Sequence, residues 1–272
     1  MPSAAVLRIE IERTLEHRFP AALTPAPRTI REVAETGIPA VDGQLEGGLP
    51  VGAISELTGP ESSGRTSLAL AFIARRTEEG RACAWVDVSD ALEPESAAAN
   101  GVVLRQLLWV RCRDGAGATE KAPGRNRAAR WTRLDQALRA TDLLLQAGGF
   151  AAIVLDLGGT AREQANRIPL ATWFRFRQAA DRTRCSLVVL GRAAYAESSA
   201  AVVLECSPLR AVTAGETALR GFTFEARRRR ERFSRVEIGT RTTGLPAAGP
   251  GRGKPPSSAW QAGAAWEAEK RA

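Results

Sequence analysis

Histidine is almost missing from this chain: His17 is the only one among 272 residues. Catalytic triads and metal centres that depend on imidazole have little to build on. Cysteine is sparse and scattered. Cys83, Cys112, Cys185 and Cys206 lie far apart and form no C-x-x-C pair, so neither a disulfide framework nor a zinc site is indicated. Three of them sit in or beside apolar runs, where a small buried hydrophobe is the simplest reading. Long hydrophobic runs are missing too. No stretch reaches the ~18–20 apolar residues of a membrane span, and the N-terminus has no apolar leader core. A cytoplasmic protein is expected.

What is present is charge of one sign. The net charge is +8 and the pI about 10.3, with arginine supplying most of the excess. Such a balance favours a polyanionic partner such as nucleic acid, but it also describes a well-solvated surface. The chain is long enough for one large α/β domain with a sizeable core.

Leu7, Ile11, Leu15 and Phe19 recur every four residues with charges between them. They predict one amphipathic helix, stopped at Pro20 and followed by a proline-bearing linker. Residues 1–29 are read as this helix and linker, whose apolar face either docks on a partner or packs back on the core. Residues 30–239 are read as the core. Within it, apolar runs at 53–58, 82–88, 107–110, 150–157, 186–190 and 201–206 predict buried strands. They alternate with helices expected over 67–77, 91–100, 134–146 and 169–182. That alternation predicts a mostly parallel twisted sheet covered by helices on both faces. Residues 221–225 and 235–238 are expected to form an antiparallel pair at the C-terminal end, joined through an arginine-rich turn. The stretch 113–130 holds Gly, Ala, Pro, Asn, Lys and Arg with hardly a large apolar residue, and reads as a flexible basic insertion. Residues 240–272 read as a disordered low-complexity tail with at most a short final helix.

The most informative segment is Gly59-Pro60-Glu61-Ser62-Ser63-Gly64-Arg65-Thr66-Ser67. It follows a predicted strand and opens a predicted helix, the context required of a phosphate-binding loop G-x-x-x-x-G-K-[ST]. The glycines allow the backbone amides to converge on a phosphate chain, and Thr66 is placed to hold Mg²⁺. Arg65 stands where that motif has lysine. It keeps the charge but presents a bulkier, planar fork. Asp156, ending the run FAAIVLDL at 150–157, is the natural second Mg²⁺-orienting acid.

These residues resemble the RecA recombinase family. Gly47 to Gly52 (GGLPVG), Ile54 to Gly64, Cys83-Ala-Trp-Val-Asp87 and Ala91-Leu-Glu-Pro94 follow the core of that family in order and spacing. The layout is most similar to the ImuA group, the RecA-like accessory proteins of the bacterial mutasome, which resembles this chain in its short N-terminal helix, the linker Ala22 to Pro25 and a compact core. The resemblance implies a RecA-like core that binds ATP with Mg²⁺. It also implies a role in the SOS response and error-prone translesion synthesis, beside an ImuB-like polymerase homologue, an error-prone DNA polymerase and RecA itself.

The departures from RecA are concordant. The lysine is Arg65. The position matching the water-activating glutamate is Ser89, whose hydroxyl is a poor proton acceptor at neutral pH; Asp90, one residue on, could substitute only if the loop shifted. The loops matching the DNA-binding loops of RecA, 157–167 and 191–199, are short. Fast ATP hydrolysis is therefore not expected. Arg227, Arg228, Arg229 and Arg230, with Lys121, Arg125, Arg127 and Arg130, suggest weak DNA contact through phosphates. An accessory adaptor, capable of self-association through the N-terminal helix, is the leading expectation. An active single-stranded-DNA-dependent recombinase and a SulA-like cell-division inhibitor stand as alternatives.

Overall fold

The computed structural model describes residues 32–113, 131–214, 218–231 and 257–263. The expected helix carrying Leu7, Ile11, Leu15 and Phe19, its linker, residues 114–130 of the basic insertion and the strand expected at 235–238 lie outside the described residues.

A small antiparallel pair opens the fold: β1 (Val33–Ala34) against β2 (Leu49–Pro50), with α1 (Pro39–Gln44) between them. The main sheet then begins with β3 (Ile54–Thr58), followed by α2 (Arg65–Glu78), β4 (Cys83–Asp87), α3 (Pro94–Ala99) and β5 (Leu107–Arg111). After the insertion come α4 (Arg133–Ala147), β6 (Ala152–Asp156), α5 (Arg162–Ala165), α6 (Leu170–Thr183) and β7 (Ser186–Gly191). Three further strands complete it: β8 (Ala200–Ala214), β9 (Ala218–Glu231) and β10 (Ser257–Gly263).

The eight strands take the order β10-β9-β8-β3-β7-β6-β4-β5. From β8 to β5 every pairing is parallel, and β8-β9 and β9-β10 are antiparallel. This is the expected α/β fold, a mostly parallel sheet with antiparallel strands at its C-terminal end. β3, β4 and β7 are buried along their whole length, as parallel strands covered on both faces must be. One apolar cluster, around Leu68, Phe72, Trp85 and Val188, lies on the α2 face. A second, around Ile153, Trp173, Phe176 and Leu187, lies on the α4–α6 face. α4 starts with a reciprocal capping box, Thr132 and Asp135 each bonding the other's backbone. All four cysteines are buried free thiols. Burial pushes Cys83 and Cys206 up to about 12, which makes them inert core residues.

Two expectations are corrected at the C-terminal end. β9 is one continuous strand, so Arg227 to Arg230 lie within it rather than in a turn. Residues 257–263 are not low-complexity tail or helix but β10, paired with Gly221 to Arg227. Trp260 explains the difference: it packs on Phe224 with ring centroids 5.6 Å apart and gives the segment an apolar anchor. β8 is also longer than the apolar run that announced it. It pairs with β3 only through Glu205 and then continues beside β9 alone. Pro208, which has no N–H to donate, falls in that extension, next to a register shift.

Candidate nucleotide site

The loop 59–67 leaves the C-terminal end of β3, a central strand flanked by β7 and β8. The Gly59 N–H donates to the Gly191 carbonyl at 3.1 Å, tying the loop to the end of β7. Ser62 and Gly64 adopt positive φ of 57° and 83°, the wrapped backbone that gathers amides around an anion. The α2 hydrogen-bond ladder starts with Leu68 N–H donating to Gly64, so the preceding N–H groups face the cradle. Gly64 is doubly required. Its φ is left-handed, and a Cβ there would sit 2.5 Å from the Phe224 ring. Phe224 of β9, backed by Trp260, is the outer wall of the first helical turn.

Arg65 does not reach outward. The residue is 8% exposed, and its guanidinium donates to the loop's own carbonyls, Gly59 O and, at 2.6 Å, Pro60 O. Another of its nitrogens approaches Asp156: a Cβ built on Gly158 would lie 2.8 Å from Arg65 Nη2 and 3.0 Å from Asp156 Oδ1. The bulky fork fills the space between the loop and the end of β6. Lysine would place a single ammonium there, whereas the arginine fork needs several acceptors: Nη1 finds two in the loop carbonyls, and the buried Nε has none among the described residues.

Asp156 ends β6 where the sequence placed it. Burial raises its carboxyl to about 6, opposed by the Gly158 N–H, which donates to Oδ1 at 2.8 Å, and by the Arg65 charge. Thr66 is exposed on the first turn of α2. Thr66, Asp156 and the glycine-framed cradle fit a Mg²⁺–phosphate group in residue type and placement, with Arg65 having to give up its carbonyl bonds to meet it.

The base position does not fit hydrolysis. Ser89 packs against Gly159, leaving no room for a side chain there, and offers only a hydroxyl. Asp90 has a positive φ and pairs with Arg111, with Arg111 Nη2 to Oδ2 at 2.7 Å. Those hydrogen bonds hold the Asp90 carboxyl below the usual carboxylate range, so it is a poor proton acceptor. The buried Asp87 is absorbed by structure: it accepts from the Ser89 and Leu92 amides and from Trp109 Nε1.

Two features of the site carry no local sequence signal. Arg192, just after β7, pairs with Glu61 at the loop tip and reaches the Gly158 carbonyl at 3.4 Å, fastening three strand ends together. Glu56, inside the apolar β3, accepts from the Tyr195 and Ala196 amides at 2.6 and 2.9 Å and so holds the loop after β7. A charged residue in a buried strand was the only available hint. The arginines of β9 are largely engaged nearby. Arg227 pairs with Glu225, Arg229 with Glu205, and Arg228 donates to the Gln44 carbonyl.

Residues 10–123 match the family described as RecA N-terminal domain. The match supports a RecA-like family for the chain. The RecA protein of Crocosphaera subtropica is 40% identical over 111 residues, 41% of this chain and 32% of that protein. The RecA protein of Ruegeria pomeroyi is 37% identical over 126 residues, 46% of this chain and 31% of its own. The chain thus spans about a third of the length of these RecA relatives. A solved structure of the RadB recombinase aligns with 74% of this chain and 91% of its own, at a TM-score of 0.49 and 17% identity. Among the described residues no helix is long and apolar enough to cross a membrane.

Proposed function

We propose that this chain is a RecA-fold accessory protein of DNA-damage tolerance, similar to the ImuA group. In this reading it acts as an adaptor in SOS-induced, error-prone translesion synthesis. It retains the phosphate loop mainly as architecture and hydrolyses ATP slowly or not at all. The observation that carries the reading is the inward fold of Arg65 onto Gly59 and Pro60, beside an Asp156 raised by burial. Charge that a lysine would direct at phosphate is spent on the protein itself. Ser89 then leaves no acid to activate water, a step typically worth ~10²–10⁴-fold.

The partners of this reading are an ImuB-like polymerase homologue and an error-prone DNA polymerase, in the cytoplasm near DNA. Contact with DNA is weak and salt-sensitive, because Arg227, Arg228 and Arg229 of β9 already have protein partners. When bound, ATP with Mg²⁺ would be held by the loop amides, Thr66 and Asp156. Isothermal titration with ATP and Mg²⁺, together with ATPase assays with and without single-stranded DNA, tests the reading. Weak binding and negligible stimulated turnover are expected. Turnover at the rate of a recombinase would sink it.

A further inference from the structure

Seven large apolar side chains are exposed among the described residues, and three of them share one face. They are Leu143 of α4 and Leu170 and Phe174 of α6, at 50%, 57% and 51% exposure. An ion pair shows how the two helices are turned. Arg175 of α6 donates to Asp142 of α4 at 2.9 Å, so these residues face each other across the seam. Successive helix positions are rotated by about 100°. Thr141 and Phe176, on one side of the pair, are fully buried. Leu143 and Phe174, on the other side, therefore both look outward, and Leu170 lies one turn from Phe174 on the same stripe. Arg139 also reaches Asp142, at 3.9 Å, so the seam between the apolar side chains is bridged by paired charges. Apolar side chains gathered on one outer face mark a docking surface rather than scattered surface residues.

The chain itself supplies an occupant of matching form. Leu7, Ile11, Leu15 and Phe19, which lie outside the described residues, put four apolar side chains on one stripe of the expected N-terminal helix. As a helix, residues 7–19 are ~20 Å long, and the 14 residues of α6 make it ~21 Å long. The point where the chain enters the fold is also suited. Glu32, the first described residue, pairs with Arg184, which directly follows α6. Residues 20–31 can span up to ~40 Å, enough for the helix to turn back along α6. Its charges do not oppose that: Arg8, Arg13 and Arg18 balance Glu10, Glu12 and Glu16, so no net charge is brought to Arg139 and Arg175. A tether this short gives an effective concentration on the order of millimolar. At micromolar protein that favours the chain's own helix over one from a second copy.

We propose that residues 7–19 dock within their own chain along the α4–α6 seam, with Leu7, Ile11, Leu15 and Phe19 against Leu143, Leu170 and Phe174. The two apolar surfaces then cover each other, and neither is open to a second copy. The proposal goes beyond the translesion reading and does not depend on it.

Hydrogen exchange of the full-length chain, read by mass spectrometry at low and high protein concentration, tests it. Residues 7–19 should be protected to the same degree at both. Phe174→Glu and, separately, Leu143→Glu should each speed exchange in that segment about tenfold or more. Unchanged exchange in β3 and β7 would show that the core of each variant stays folded. An unprotected segment in wild type, or protection indifferent to both substitutions, would overturn the proposal. Protection that grows with concentration would place a second copy on the face and overturn it too. Cysteine pairs give a second readout, because the four native thiols are buried. Leu7→Cys, Ile11→Cys and Leu15→Cys, each combined with Phe174→Cys, are oxidised and run on a non-reducing gel. A disulfide closed within the monomer is expected from at least one pair. Linked dimers instead, or no closure from any pair, would count against docking within the chain and overturn it.

Discussion

At the residue scale, Asp156 has a pH response that can be worked out from its burial. Asp156 rises from 3.8 to about 6 on folding. Below pH 4 the carboxyl is protonated in both folded and unfolded chains and has no effect. As pH climbs from 4 to 6 the unfolded chain ionises first, so the folded state loses stability, and above 6 the loss is complete. The total is on the order of 3 kcal/mol. Asp156→Asn has no such loss. Denaturant melts at pH 4 and pH 7 should therefore show the variant gaining on wild type at the higher pH. A difference that does not change with pH would mean the carboxylate is solvated. Arg65→Lys addresses the loop itself. Freed from the Gly59 and Pro60 carbonyls, a lysine should tighten nucleotide binding in titration calorimetry. Turnover should stay ~10²-fold or more below that of an enzyme with an intact base, because Ser89 is unchanged. Brisk hydrolysis by this single variant would show that another group activates water. The loop, Arg65, Ser89 and Asp156 were all legible in the sequence, because a phosphate loop is read from contiguous residues. Glu61 with Arg192 was not, since its partners are 131 positions apart and only the strand order brings them together.

At the scale of elements, the β8–β9 ribbon and β10 form a wall for the phosphate loop. Phe224 links them by touching Gly64 on one side and Trp260 on the other. Phe224→Ala should cost about 3 kcal/mol, seen as a fall in Tm of roughly 5–10 °C. Trp260→Ala should act through the same contact, so the double variant should fall short of the sum. Full additivity would show that the two rings work independently. The parallel strands were read close to their true bounds because burial on both faces leaves continuous apolar runs. The ribbon was not. Beyond Glu205 the continuous apolar run ends and Pro208 follows, and a proline argues against a strand interior until its partner is known. β10 was hidden for a related reason: one tryptophan in a glycine- and proline-rich region gives no periodicity. Deleting residues 257–263 should uncover a long β9 edge bearing Phe222, and gel filtration should show self-association. A monodisperse deletion variant would mean that β10 is dispensable.

At the scale of the molecule, the strand order says more about the RecA likeness than the percentages do. The matched segment, residues 10–123, holds β3, β4 and β5. In the sheet, β3 is separated from β4 by β6 and β7, both of which lie outside that segment. A fragment ending at 123 would leave the phosphate-loop strand with no neighbour on either side. The portion of the chain that matches the RecA N-terminal domain is therefore not a module that could fold or be transplanted by itself. β3 depends on β7 and β8, within residues 186–214, for both of its neighbours in the sheet. Expressed alone, residues 1–123 should show no cooperative thermal transition by circular dichroism, and a sharp one would mean that this segment carries its own fold.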